Sequence, residues 1–179
     1  MIPNGGGLLN HMEPLIVLIG VTMVIFVAGA AGVKRLRPWP VALRGGVAAM
    51  FMLTGTVHFV WMREELISMV PTFLPNPGFI VTLTGLLEWA GAIGVLWLPT
   101  VPWAAGGLSL LLLIMFPANI HYALSGLATK PEDAIFPRTL MQIVFLSASL
   151  TIMLYYSRQR SVRRRSLNET NNTPKSVHN

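Results

Sequence analysis

The chain has no cysteine among its 179 residues. That excludes disulfides, thiolate metal ligands, iron–sulfur clusters held by its own thiols and covalent c-type haem attachment. Any redox chemistry must therefore be borrowed from a partner. Charge is scarce as well: 11% of residues are Asp, Glu, Lys or Arg, against about 25% in an average chain. With 53% hydrophobic residues and a mean hydropathy of +0.60, the composition is too apolar for an ordinary soluble domain. Acids are the scarcer charge, 7 against 13 Lys and Arg. The resulting +6 does not indicate nucleic acid, because the arginines crowd between Arg158 and Arg165, directly after an apolar run. Such a cluster reads as a topology signal facing anionic lipid headgroups.

What the chain does have is long apolar runs. A helix crossing about 30 Å of hydrocarbon needs about 20 residues, and five windows meet or approach that length: Pro14 to Val33, Gly45 to Met62, Gly78 to Leu98, Trp103 to Leu124, and Thr139 to Tyr156. The expected fold is all-α, a polytopic membrane bundle. The first run is not read as a cleaved secretory signal, since the residues before it hold no Lys or Arg. Lys34, Arg35, Arg37 and Arg44 follow the first run, and the arginine tail follows the fifth. By the excess of cations on cytoplasmic loops, both belong inside, with residues 1–13 outside. The outer connections then hold Arg63, Glu64 and Glu65, and Lys130, Glu132, Asp133 and Arg138. Trp39, Trp97, Trp103, Tyr155 and Tyr156 are expected at the inner interface, and Trp61 and Tyr122 at the outer one. The polar tail beyond Ser166 is expected to be disordered.

Glu88 stands at the middle of the third run with no other charge between Gly78 and Leu98. A carboxylate at the bilayer centre costs roughly 2.5 to 3.5 kcal/mol on insertion scales, so such a group faces other protein groups, stays protonated or lines a polar cavity. At 1.5 Å per residue it lies about 15 Å from the outer end of its span, while His58, Asn119 and His121 lie about 5 to 8 Å deep in theirs. Gln142 lies at a comparable depth, and Thr84 sits one turn from Glu88 on the same face. These residues define an outward-facing polar pocket with a carboxyl at its floor. Met69 to Pro77, with three prolines, is expected to cover it as a lid. Pro117 breaks a backbone bond within the fourth span, which is expected to kink and to free the carbonyl of Leu113. Asn119 either repairs that break or faces the pocket.

Five segments occur in a recognisable order: Gly55-Thr56-Val57-His58-Phe59, Met69 to Pro77, Thr84 to Gly94 with Glu88 at its centre, Phe116-Pro117-Ala118-Asn119-Ile120, and Pro137-Arg138-Thr139-Leu140-Met141-Gln142. In this order they resemble the DoxX-like family of integral membrane proteins, over roughly residues 44–156. The resemblance implies a four-helix membrane domain at 44–156, preceded by an extra transmembrane helix at 14–33 and followed by a basic tail at 157–179. It also marks His58, Glu88, Asn119, Arg138 and Gln142 as matched positions. Trp89 departs from the small or aliphatic residue expected beside the family glutamate.

Some relatives in that family are subunits of thiosulfate:quinone oxidoreductase, so the resemblance implies an accessory or quinone-interacting subunit in a bacterial cytoplasmic membrane. In that reading Glu88 and His58 handle protons, while Thr84, Asn119, His121, Arg138 and Gln142 surround the ligand. No intrinsic cofactor is expected, and electrons come from a redox partner. A non-enzymatic factor that assembles or stabilises a client membrane protein is the alternative. A haem or metal held by His58 and His121 is a third, weaker option.

Overall fold

A computed structural model describes residues 12–60, 62–71, 73–124 and 134–172. The expectations at Trp61, at Thr72 and at Lys130, Glu132 and Asp133 fall outside them. The described residues form helices α1 (Glu13–Ala30), α2 (Trp39–Val57), α3 (Arg63–Met69), α4 (Pro77–Leu96), α5 (Val101–Leu124) and α6 (Ile135–Asn172), with one 3-10 turn at Lys34–Leu36. Five of the six are long and apolar enough to cross a membrane, α3 being the exception. This is an all-α polytopic bundle, as the hydropathy requires.

Neighbouring packing runs α2 on α4, α4 on α5, α5 on α6, and α6 back on α2. The core between them is built from Val47, Met50, Phe51, Ala92, Val95, Ala105, Leu108 and Ile152. The first helix lies outside this four-helix ring, against α2. Only Leu18 and Gly29 of α1 are buried, so most of its apolar surface faces away from the protein. In lipid, apolar burial between helices gives no driving force, and close backbone approach has to supply the contact. Gly46 of α2 does this for α1: a Cβ there would lie 2.6 Å from the carbonyl oxygen of Leu18 and would also strike the Thr22 hydroxyl. Between α4 and α5, the short turn is closed by Thr100, whose hydroxyl donates to Gly94 O at 2.6 Å and Trp97 O at 2.9 Å. Gly94 also lets the Ala104 methyl pass.

Three boundaries differ from the hydropathy reading. The second span starts at Trp39 rather than Gly45 and ends at Val57 rather than Met62. Pro40 in the first turn has no helical amide bond to lose, which extends the start. The end is fixed by Arg63, whose guanidinium donates to the carbonyl of His58 at 3.3 Å and to Gly78 O and Thr82 Oγ1 at 3.3 and 3.0 Å. Arg44 therefore sits within α2, where it donates to Tyr156 Oη at 3.4 Å and lies over that ring. Toward the chain's other end, α6 continues through Asn172, so residues 167–172 are helical where disorder was expected. No Gly or Pro interrupts it before Pro174, and Arg, Gln, Leu and Glu favour helix. Tyr122, near the end of α5, is buried against protein.

Gly46→Val should separate α1 from α2 and lower the stability of the purified protein by about 1 to 3 kcal/mol, the usual range for overpacking. Gly107→Ala, where an added Cβ meets nothing within 4 Å, should change it by less than about 1 kcal/mol. Thermal melting in detergent, followed by tryptophan fluorescence, compares the two.

Candidate functional site

The ends of α2 and α5 and the starts of α1, α4 and α6 share one end of the bundle, and a cavity of about 210 Å³ opens there. His58, Glu88, Asn119, Arg138 and Gln142 are among its polar lining residues. All five are the positions singled out by the sequence segments. Glu88 is 11 residues into α4, or about 16 Å from the helix start at 1.5 Å per residue. Only 4% of its surface is exposed.

Two glycines bring α2 and α4 together at this depth. A Cβ on Gly85 would lie 2.7 Å from the Cβ of His58, and one on Gly55 would lie 2.5 Å from Trp89 Cδ1 and 3.1 Å from Gly85 O. Trp89 fills the space this leaves, stacking at a tilt on Phe59 with ring centroids 5.0 Å apart and donating its indole N–H to Met52 O. The bulky residue beside Glu88 therefore packs between helices, outside the cavity lining.

His58 is buried, and its Nδ1 donates to the carbonyl of Thr54 at 2.9 Å. When the ring is neutral, donation from Nδ1 leaves the lone pair on Nε2. The same Nδ1 is 3.8 Å from Glu88 Oε2, beyond hydrogen-bond length. Glu88 Oε2 is therefore a buried oxygen with no hydrogen-bond partner among the described residues. Such a group costs about 1 to 3 kcal/mol relative to a satisfied one.

Gln142 is held by α5. Its Nε2 donates to Leu112 O at 2.6 Å. The carbonyl it takes is one residue before Leu113, which Pro117 was expected to free, and Leu113 is exposed. The helix assignment of α5 runs through Pro117 without interruption. Nearer the opening, Arg138 donates to Asn119 Oδ1 at 3.5 Å, and its guanidinium lies 4.5 Å from the centroid of the Tyr122 ring. The Tyr122 hydroxyl donates to Glu65 Oε1 at 3.1 Å. A polar chain from α3 through α5 to α6 thus closes one side of the mouth.

Two expected members do not join. Thr84 turns its hydroxyl back onto its own helix, donating to Ile80 O and Val81 O at 3.0 Å each, as buried threonines on helices commonly do. His121 is exposed on α5 and does not line the cavity, so it does not pair with His58 there. Of the expected lid, Met69 lines the cavity while Phe73 and Leu74 are exposed, and the rest of the cover is Leu66 of α3 and Met62 just before it. A seven-residue helix was not visible as a span because it is too short to cross anything.

The most informative surprise is sulfur. Met50, Met62, Met69, Met115 and Met141 all line the cavity, half of the chain's 10 methionines. Scattered over four helices or their ends, they show no spacing that a single segment could reveal. Thr54 is a further member; its position four residues before His58 was the signal available. Glu13 and Pro14 bring α1 to the rim.

Fold and cavity together define a polytopic helical membrane protein with a thioether-lined pocket around a buried acid and an imidazole. Residues 47–153 match the family described as "Domain of unknown function (DUF8561)", and the chain belongs to that family. No curated protein and no solved structure matches the chain. The matched stretch contains every helix-borne polar group of the cavity except Glu13.

Gln142→Leu removes the bond that joins α6 to α5 at the pocket and should lower stability by about 0.6 to 1.7 kcal/mol, the range for interhelical bonds in membranes. Thr84→Val should not change stability by a comparable amount. Equilibrium unfolding in mixed micelles checks both.

Proposed function

We propose that the protein binds the ring of a lipophilic quinone in this pocket and serves as an accessory subunit of a membrane redox system. The observation that carries the reading is Glu88 Oε2, buried and lacking a protein hydrogen bond, facing a cavity walled by methionines beside His58. A ring oxygen presented to Glu88 would satisfy it. The cavity size supports this, since a cavity of about 150 Å³ accepts benzene and about 210 Å³ is available. Thioether side chains are polarisable and adaptable, and they pack well on flat rings. The resemblance to DoxX-like proteins, some of which are subunits of thiosulfate:quinone oxidoreductase, points the same way.

Reduction of a quinone adds protons as well as electrons. Full reduction to the quinol takes two electrons and two protons: Glu88 would give one proton to the nearer ring oxygen and regain it through His58, and water at the pocket mouth would give the second to the distal oxygen. A partner protein supplies the electrons, because the chain has no cysteine and no group of three or more His, Asp or Glu placed to hold a metal among the described residues. Arg138 and Asn119 orient the distal side of the ring. In this reading the basic end of the bundle faces the cytoplasm of a bacterial cell, an orientation its cations favour, and the pocket faces the outer side.

A second reading, a non-enzymatic factor that assembles or stabilises a client protein, is favoured by α1. Its exposed Ile16, Ile19, Val24 and Val27 would then bind a partner helix instead of lipid.

A short-chain quinone titrated into the purified full chain should quench tryptophan fluorescence to saturation. Glu88→Leu should weaken binding about 10- to 100-fold, the equivalent of a lost buried hydrogen bond at about 1 to 3 kcal/mol, and Leu66→Trp should block the mouth. Glu88→Gln, which keeps a hydrogen-bonding group without the acid, should bind within a few-fold of the original. Absence of saturable quenching, or equal binding by Glu88→Leu and Leu66→Trp, would exclude the quinone and leave the assembly reading.

A further inference from the structure

The opposite end of the bundle holds a second cavity, of about 740 Å³, between the start of α2 and one face of α6. Trp39, Leu154 and Tyr155 form its inner part, and Arg158, Val162 and Arg163 its outer part. On α6 these residues recur at intervals of three and four, so they form one stripe along the helix. Tyr155 meets Trp39 edge-on, with ring centroids 5.4 Å apart. This contact gives the groove an aromatic floor.

The arginines at this end have different occupations. Arg44 is engaged with Tyr156. Arg160 donates to the carbonyls of Leu98 and Pro99 in the turn between α4 and α5. The guanidinium groups of Arg158 and Arg163 make no hydrogen bond or ion pair with any described residue. Between residues 31 and 45, 95 and 103, and 151 and 168 there is no Asp or Glu at all. An anion approaching the groove thus meets no repelling group from the segments that form this end.

Depth matches a lipid headgroup. Counting 1.5 Å per residue from Ile135, Arg158 is about 35 Å and Arg163 about 42 Å along α6. The hydrocarbon is about 30 Å thick and the headgroup zone brings the whole to about 40 to 45 Å. With Ile135 at one edge of the hydrocarbon, Leu154 lies at the other, Arg158 falls within the headgroup zone of about 5 to 7 Å, and Arg163, about 5 Å past it, reaches back with its long side chain. Guanidinium groups bind phosphate oxygens in pairs, and tryptophan prefers this level of the bilayer.

We propose that this groove is a binding site for one anionic phospholipid, with its phosphate held by Arg158 and Arg163 and an acyl chain laid along Leu154 and Trp39. This goes beyond the general attraction of a basic tail for a charged surface, because it assigns two of the arginines and excludes their neighbours. It is independent of what the methionine-lined pocket binds.

The test uses the delipidated full chain in a neutral detergent, with its melting temperature followed as phosphatidylglycerol, phosphatidylcholine or inorganic phosphate is added. Phosphatidylglycerol should raise it saturably, as a ligand of the folded state does, and native mass spectrometry should find one molecule retained per chain. Phosphatidylcholine and phosphate should leave it unchanged. Arg158→Gln and Arg163→Gln should each reduce the shift to about half or less, while Arg164→Gln, with the same loss of charge one residue on, should keep it. Unshifted melting of each variant without lipid establishes that it is folded. An equal loss in Arg164→Gln would replace the site with diffuse charge attraction. A shift with phosphate alone would make it a free-anion site, and an equal shift with phosphatidylcholine, or none with any lipid, would overturn the proposal.

Discussion

The backbones of α2 and α4 meet where Gly55 and Gly85 leave out their side chains, and a Cβ on either would come within 3 Å of the facing helix. This close approach sets the geometry of the pocket. It brings the Cβ of His58 over Gly85, so that the imidazole and Glu88 share one depth at 3.8 Å. Any larger residue at Gly85 would move the imidazole away from the acid. Helix contact in a membrane depends on such fit because lipid is as apolar as the helix faces.

Around this contact the polar groups are tied in two places. Arg63 joins the end of α2 to the first turn of α4 through His58 O, Gly78 O and Thr82. Glu65, Tyr122, Arg138 and Asn119 form the second tie, across α3, α5 and α6. Both lie at the pocket end of the bundle. The rigid frame is polar and the cavity wall is soft, since thioether chains have more rotatable bonds than branched aliphatic ones. A pocket of this kind holds its acid in a fixed position while its walls adapt.

The sequence exposed what membrane physics makes unusual. An acid in the middle of an apolar run is detectable without any structure, as are the amide and imidazole groups near helix ends. Glu88, His58, Asn119 and Gln142 were therefore legible, Arg138 was marked by the resemblance alone, and all five line the cavity. What depends on side-chain direction was not: Thr84 shares a helical face with Glu88, yet its hydroxyl satisfies its own backbone. His121 lies two residues beyond Asn119, and that rotation of about 200° sends it outward. The methionines escaped because hydropathy counts a thioether as one more apolar residue. The start of α2 and the tail of α6 were misplaced for a related reason: Arg44 and the Arg158–Arg165 cluster are helical, and hydropathy treats charge as the end of a span.

The unbroken length of α6 has a mechanical consequence. One helix carries Gln142, bonded to α5 beside the pocket, and, further along, Arg160, bonded to the turn that links α4 and α5. With no Gly or Pro between them, torque applied at either station is carried along a stiff shaft instead of being absorbed at a hinge. A twist that drew Gln142 off Leu112 would also swing Arg158 and Arg163 around the helix axis, so the two ends of the bundle turn in step.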